Sequence, residues 1–144
     1  KKMGEIGLMG IPFPVEYGGA GGTNVMYSMA VEELSRVCAT TGVVLSAHTS
    51  LCAAPIYENG TEEQKMKYLP KLCSGEWIGA FGLTEPNAGT DAAAQQTFAE
   101  EKEDHFVLNG NKIFITNAEY AHVYVVFAMT DKSQGTRGIT AFIV

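Results

Sequence analysis

Phe81-Gly-Leu-Thr-Glu-Pro-Asn-Ala-Gly-Thr-Asp91, followed further on by Phe114-Ile-Thr116, carries the most specific chemistry in this chain. The residues from Trp77 to Leu83 predict an apolar strand, and the strand runs into a polar turn. Pro86 biases Glu85 toward an extended backbone, and Asn87, Ala88 and Gly89 suit a tight turn. Thr84, Thr90 and Asp91 set polar groups around that turn, and several of its backbone N–H groups lack ladder partners. Such a loop offers donors to a planar heteroaromatic or a pyrophosphate. An ordinary loop at a sheet edge fits the same residues, and the residues alone leave both readings open.

Downstream, the apolar pattern has the period of strands. Gln95 to Glu100 predicts a short one. Phe106 to Thr116 contains two β-rich runs flanking Asn109-Gly110, a pair suited to the positive φ values of a type I′ hairpin turn. The run ends on the hydroxyl of Thr116. Val123 to Met129 and Ile139 to Val144 predict two more strands, joined by a polar loop with Gly135 and Gly138.

Upstream, the period is that of helices. Met3 to Ile11 reads as a helix end running into a loop, and the glycines of Tyr17-Gly-Gly-Ala-Gly-Gly22 predict a connector. A phosphate cradle is a poor fit there: no strand precedes the glycines and no Lys-Ser/Thr follows them. Thr23 or Asn24 caps a helix whose Val25, Met26, Met29, Ala30, Leu34, Val37 and Cys38 recur on one face. A second helix spans about 41–59, apolar nearly all round, with a kink expected at Pro55 because proline lacks an amide donor and crowds the preceding turn. Thr61-Glu-Glu-Gln64 is a capping box that starts a third helix ending near Ser74-Gly75. Helices first and antiparallel strands after predict an α+β fold: a helical domain over 1–76 and an antiparallel, barrel-like β domain over 77–144.

The composition, 46% hydrophobic and 18% charged in 144 residues, is that of a globular protein. The net charge is −6, and the ten basic residues are scattered, whereas nucleic acid rewards a clustered basic face. Cys38, Cys52 and Cys73 show no Cys-x-x-Cys spacing, which points away from zinc or a redox pair and toward buried apolar thiols. No apolar run approaches the roughly 20 residues that span a bilayer, and no signal peptide is visible. Glu85 and Asp91 are a weak candidate for paired acid/base carboxylates, since both suit turn chemistry. His48 is a candidate base on an apolar helix, where a partnered structural histidine fits better. No nucleophile triad and no metal-ligand spacing stands out, so no metal site is expected.

Five blocks resemble the acyl-CoA dehydrogenase family, and within it the short-chain (butyryl-CoA) branch. They are Glu16-Tyr-Gly-Gly19, Ala30-Val-Glu-Glu-Leu34, Gly60-Thr-Glu-Glu-Gln64, Gly79-Ala-Phe-Gly-Leu-Thr-Glu-Pro-Asn-Ala-Gly-Thr-Asp91 and Leu108-Asn-Gly-Asn-Lys-Ile-Phe-Ile-Thr-Asn117. The resemblance implies an FAD-dependent α,β-dehydrogenation of a short-chain acyl-CoA to the trans-2-enoyl-CoA, with electrons passed to an electron-transfer flavoprotein. It implies that Phe81, Leu83 and Thr84 lie along the isoalloxazine, with Thr84 donating near the flavin N1/O2 edge as an oxyanion hole would. Gly89 would let backbone pass close to the cofactor. Thr90, where the family often has Ser, would contact both FAD and the acyl-CoA. Phe114 stands where many members have Trp and would keep the stacking without the indole donor. Ile115 would meet the ring through its backbone, and the Thr116 hydroxyl would reach N5.

The family's catalytic glutamate maps to no residue here, so no catalytic residue is assigned. Both ends read as cut: residue 1 is Lys and the last strand has no turn after it, which predicts a fragment covering part of the helical domain and part of the β domain. The resemblance also implies a homo-oligomer, a tetramer by family analogy, in a bacterial cytoplasm or a mitochondrial matrix. Two other expectations are kept: a non-catalytic FAD- or acyl-CoA-binding fragment, and a related flavin oxidase or hydroxylase. An unpaired apolar edge predicts marginal stability for these residues alone.

Overall fold

The computed structural model describes residues 1–144. They form two compact units, Lys1–Phe81 with Thr116–Val123, and Gly82–Ile115 with Tyr124–Val144.

The first unit is helical. After α1 (Lys2–Glu5), two 3-10 turns at Leu8–Gly10 and Val15–Tyr17 lead to α2 (Asn24–Val37), α3 (Ala39–Ser46), α4 (Ala54–Asn59) and α5 (Glu62–Cys73). The caps follow the sequence: the Thr23 hydroxyl accepts from Met26 N at 3.2 Å, and the Thr61–Gln64 box is complete, with Thr61 N donating to Gln64 Oε1 at 2.8 Å. The glycine stretch is more than a connector. Gly19, Ala20, Gly21 and Gly22 each donate a backbone hydrogen bond to Pro14, Gly10, Phe13 and Ile11 respectively. Glycine is required there because a Cβ on Gly19 would lie 2.1 Å from the Phe13 carbonyl oxygen.

α3 and α4 are joined without a break by a π-helical segment, Ala47–Ala53, in which Ala54 N–H reaches back five residues to the Thr49 carbonyl. Pro55 follows at the start of α4. The expected kink therefore takes the form of a widened turn, which accommodates a residue that cannot donate. The core of the unit contains Met9, Phe13, Leu45, Cys52, Ile56, Leu69, Leu72 and Val123. Tyr57 packs edge-on against Phe13 and Tyr17, with ring centroids 5.6 and 5.9 Å apart.

Two expectations fail here. No residue of α2 is buried, and Val25, Met26 and Met29, read as a core face, are exposed. α2 instead meets α3 through small groups: a Cβ on Gly42 would lie 1.9 Å from Ser35 Oγ. Cys52 and Cys73 are buried as expected, but Cys38 is exposed between α2 and α3. There the Thr41 hydroxyl and amide hold its thiol below the usual range.

The strands are β1 (Gly79–Gly82), of which only Gly82 falls in the second unit, β2 (Phe98–Glu101), β3 (Phe106–Asn109), β4 (Val123–Met129), which lies in the second unit from Tyr124 on, and β5 (Ile139–Ile143). The order is β1-β4-β2-β3, with β5 pairing β4. β4 and β5 are antiparallel from Val125↔Ile143 to Met129↔Ile139, but β2 meets β4 in parallel at Phe98↔Met129. The α+β class is as expected; the sheet is mixed, and it is not a closed barrel.

The hairpin is elsewhere than predicted. β2 and β3 pair antiparallel from Phe98↔Asn109 to Glu101↔Phe106, closed by Lys102 N donating to the His105 carbonyl. After Asn109-Gly110 the chain does not fold back on β3. Gly110 lies against Thr97, where a Cβ would meet Thr97 Oγ1 at 2.3 Å, and Ile113 N donates to the Thr84 carbonyl at 2.9 Å. The local turn signal of Asn-Gly lost to these non-local bonds.

Candidate functional site

In the second unit the loop after β1 is closed by reciprocal backbone bonds: Glu85 N to Ala88 O at 3.0 Å and Ala88 N to Glu85 O at 3.1 Å. Pro86 and Asn87 occupy the two corners, as their φ preferences require. Backbone N–H groups of Thr84, Gly89, Thr90 and Asp91 take no part in the backbone bonding of this turn. Gly89 and Thr90 are exposed, Leu83 and Thr84 are half-buried, and a Cβ on Gly89 would meet nothing within 4 Å.

Beneath the loop lies a polar cluster that sequence reading missed. Lys112 Nζ donates to the Leu83 carbonyl, Glu85 Oε1 and Gln95 Oε1, each at 2.9 Å. The Glu85 carboxylate also accepts from Gln96 N at 2.6 Å and Thr97 N at 2.9 Å. Burial pushes this carboxyl up, but hydrogen bonds from Gln96, Thr97 and Lys112 outweigh it and bring it down to about 2. Glu85 is thus an anchored, ionised group, not half of an acid/base pair, and Asp91 is exposed. The pairing of residues 85 and 112 has no local signature, so only the fold reveals it.

The Lys112 and Ile113 contacts deliver the next segment beside Thr84. Phe114 follows at φ 57° and is 89% exposed. A left-handed backbone under an aromatic residue is strained. At that exposure the ring is available for stacking. Ile115 is half-buried.

Phe81 and Thr116, both half-buried, belong to the first unit. There Ile78 N donates to His122 Nδ1 at 3.2 Å and His122 N to the Ile78 carbonyl at 2.8 Å. Gly79 N donates to His48 Nδ1 at 3.0 Å, so His48 Nε2 carries the proton and donates to the Leu72 carbonyl at 3.0 Å. Burial drives this imidazole down to about 4. His48 is therefore a neutral structural histidine, not a base.

These features fit a flavin. Open amides, an exposed aromatic face and a glycine with free space beside it form a surface for a planar ring and its polar edge. No cluster of His, Cys, Asp or Glu suited to a metal is present, and no helix is long and apolar enough to cross a membrane.

The model of the acyl-CoA dehydrogenase N-terminal domain matches residues 1–76, and that of the middle domain matches residues 80–144. The chain is 67% identical over its whole length to a short-chain specific acyl-CoA dehydrogenase of Clostridium acetobutylicum, and spans 38% of that relative's length. It superposes with a TM-score of 0.97 and 64% identity on a chain in a structure of the electron transferring flavoprotein of Acidaminococcus fermentans, covering 99% of this chain and 38% of that one. An acyl-CoA dehydrogenase of Bacillus anthracis complexed with FAD matches with a TM-score of 0.90 and 40% identity, over 99% of this chain and 24% of that one. With both domain models matched in order and nearly end to end, the chain belongs to the acyl-CoA dehydrogenase family.

Proposed function

We propose that these residues form part of an enzyme that oxidises a short-chain acyl-CoA, such as butyryl-CoA, to the trans-2-enoyl-CoA, with FAD as cofactor. Residues 1–76 would contribute to its helical domain and 77–144 to its β domain. Held by these residues, FAD would supply the two-electron acceptor for a hydride from the substrate Cβ, and the Cα proton would go to a carboxylate that these residues do not include.

The chain's own residues do three things in this reading. Phe81, Leu83 and the Phe114 ring offer apolar surface to the isoalloxazine. Thr84, the amides around Gly89 and Thr90, and the Ile115 backbone offer hydrogen bonds to its polar edge and to the acyl-CoA, and Thr116 offers its hydroxyl at N5. Glu85 and Lys112 hold the loop so that no donor has to reorganise when charge develops. The reading is carried by one observation: Lys112 and Ile113 pin the strained, exposed Phe114 beside the unpaired donors of the Thr84–Asp91 loop. An electron-transfer flavoprotein as acceptor, a homo-oligomeric state and a bacterial cytoplasmic location belong to the same proposal, by family analogy.

The test is the visible spectrum of the full-length protein containing these residues, before and after anaerobic butyryl-CoA. Flavin bands that bleach with the substrate and recover with electron-transfer flavoprotein are expected. A colourless protein overturns the reading. Bands that bleach but recover fastest with oxygen would make it an oxidase instead.

A further inference from the structure

Gly79 is held on every side. Its N–H donates to His48 Nδ1 at 3.0 Å, and its carbonyl accepts from Asn117 Nδ2 at 3.1 Å. The same Asn117 amide reaches the Val44 carbonyl at 3.4 Å. A Cβ on Gly79 would lie 2.6 Å from Cys52 Sγ and 2.7 Å from Cys52 Cβ, so the backbone packs directly on the helical segment. His48 is itself fixed by the Leu72 carbonyl and is fully buried. All of these residues belong to the first unit.

Two side chains thus hold one residue, and each lies next to a position of interest. Gly79 opens β1 and stands two residues before Phe81. Asn117 follows Thr116 directly and has φ 71°. Asn tolerates that left-handed backbone better than most residues, and its side chain is what ties the turn to Gly79. A hydrogen-bonded side chain held this way restricts the backbone on both sides of it.

We propose that His48 and Asn117 are positioning residues for the flavin: by holding the amide and the carbonyl of Gly79 they set where β1 presents Phe81 and where the turn presents Thr116. This rests on the flavin reading above. Neither side chain touches the cofactor in this scheme; each acts through Gly79. Displacements well under the size of an atom matter at such a site, since misplacing a reacting group by about 1 Å costs on the order of a hundredfold in rate.

The experiment uses the full-length protein with its flavin. N117G keeps a backbone free to adopt positive φ and deletes both side-chain hydrogen bonds; N117D keeps the shape and removes the donor. Y17F, which deletes the 2.7 Å bond from the Tyr17 hydroxyl to Glu62 in the same unit, controls for general loss of stability. The readouts are flavin content, position of the visible bands, amide exchange across residues 79–81, and the rate of bleaching by butyryl-CoA. Both Asn117 variants are expected to shift the bands, speed exchange at 79–81 and slow bleaching about tenfold or more. Y17F is expected to lower Tm and leave bands and bleaching unchanged. A folded Asn117 variant that loses flavin also supports the proposal. H48Q, which leaves the Asn117 bonds in place and disturbs the Gly79 amide together with the Leu72 contact, decides the matter if neither Asn117 variant folds. Wild-type bands and bleaching in any folded, flavin-loaded Asn117 variant, or in H48Q, overturn it, as does the same band shift in Y17F. Wild-type protein without flavin would instead sink the functional reading itself.

Discussion

Lys112 Nζ lies 2.9 Å from Glu85 Oε1, with the two side chains only 11% and 6% exposed, and this pair joins segments 27 residues apart. The ammonium has all three donors used and the carboxylate accepts two backbone amides besides. Removing one partner strands the other. K112M is expected to destabilise the protein by about 3 kcal/mol or more, because an uncompensated buried charge remains. The double variant K112M/E85Q should recover part of that loss. Thermal unfolding of K112M, E85Q and the double variant checks this; a double variant whose loss equals the sum of the two single losses would mean that the pair is not energetically coupled.

Stability should fall on acidification in two steps. His48 titrates near 6.5 when unfolded and near 4 when folded, so the unfolded state binds the extra proton in between. Its contribution is intact above pH 6.5 and declines as pH falls toward 4, by about 3 kcal/mol in all. Glu85 behaves likewise lower down. Its carboxyl is held near 2 against 4.5 unfolded, so the stability it lends is present above 4.5 and lost as pH falls toward 2. Melting temperatures against pH should lose the upper slope in H48Q and the lower slope in E85Q. An unchanged profile in H48Q would show that the imidazole is not held neutral.

Phe114 should trade stability for binding. Its φ of 57° costs about 1–2 kcal/mol for a residue with a Cβ, and its exposed ring recovers little by burial. F114G is therefore expected to raise Tm of the flavin-free protein while weakening FAD binding; F114W should keep the binding. Calorimetry on the apoprotein and a flavin titration separate the two effects. A stabilised F114G with unaltered flavin affinity would remove the ring from the site.

The 144 residues expressed by themselves should self-associate. Val25 and Met29 on α2 are 69% and 61% exposed, and Phe106, Leu108, Phe142, Ile143 and Val144 line an open apolar cavity of about 430 Å³. Surfaces of this kind cause association when nothing covers them. Light scattering after size exclusion gives the answer, and a monodisperse monomer with a sharp melting transition would refute the expectation.

Much of the local structure was legible in the sequence. The Thr23 cap and the Thr61–Gln64 box start helices where they should, because the side chain and the amide it satisfies are three residues apart. β4 falls on Val123–Met129 as read, because a run of β-branched and aromatic residues favours the pleated conformation by itself. A tight turn in this loop was also readable, but it closes at Glu85–Ala88, with Pro86 and Asn87 at its corners, and not over Asn87–Gly89 as expected.

What the sequence could not settle was each feature that depends on a distant partner. Asn109-Gly110 carries a hairpin signal, yet Gly110 packs on Thr97 and Ile113 bonds to Thr84. Val25, Met26 and Met29 have the spacing of a core face and face outward, because α2 meets α3 through Ser35 and Gly42. Lys112 looks like any surface lysine until the fold sets three oxygens around it, and nothing near Phe114 announces its left-handed backbone. Caps, turns and strand runs are decided within a few residues, where propensity and short hydrogen bonds act. Burial, ion pairing and strain are decided by which segments meet, and that is a property of tertiary structure alone.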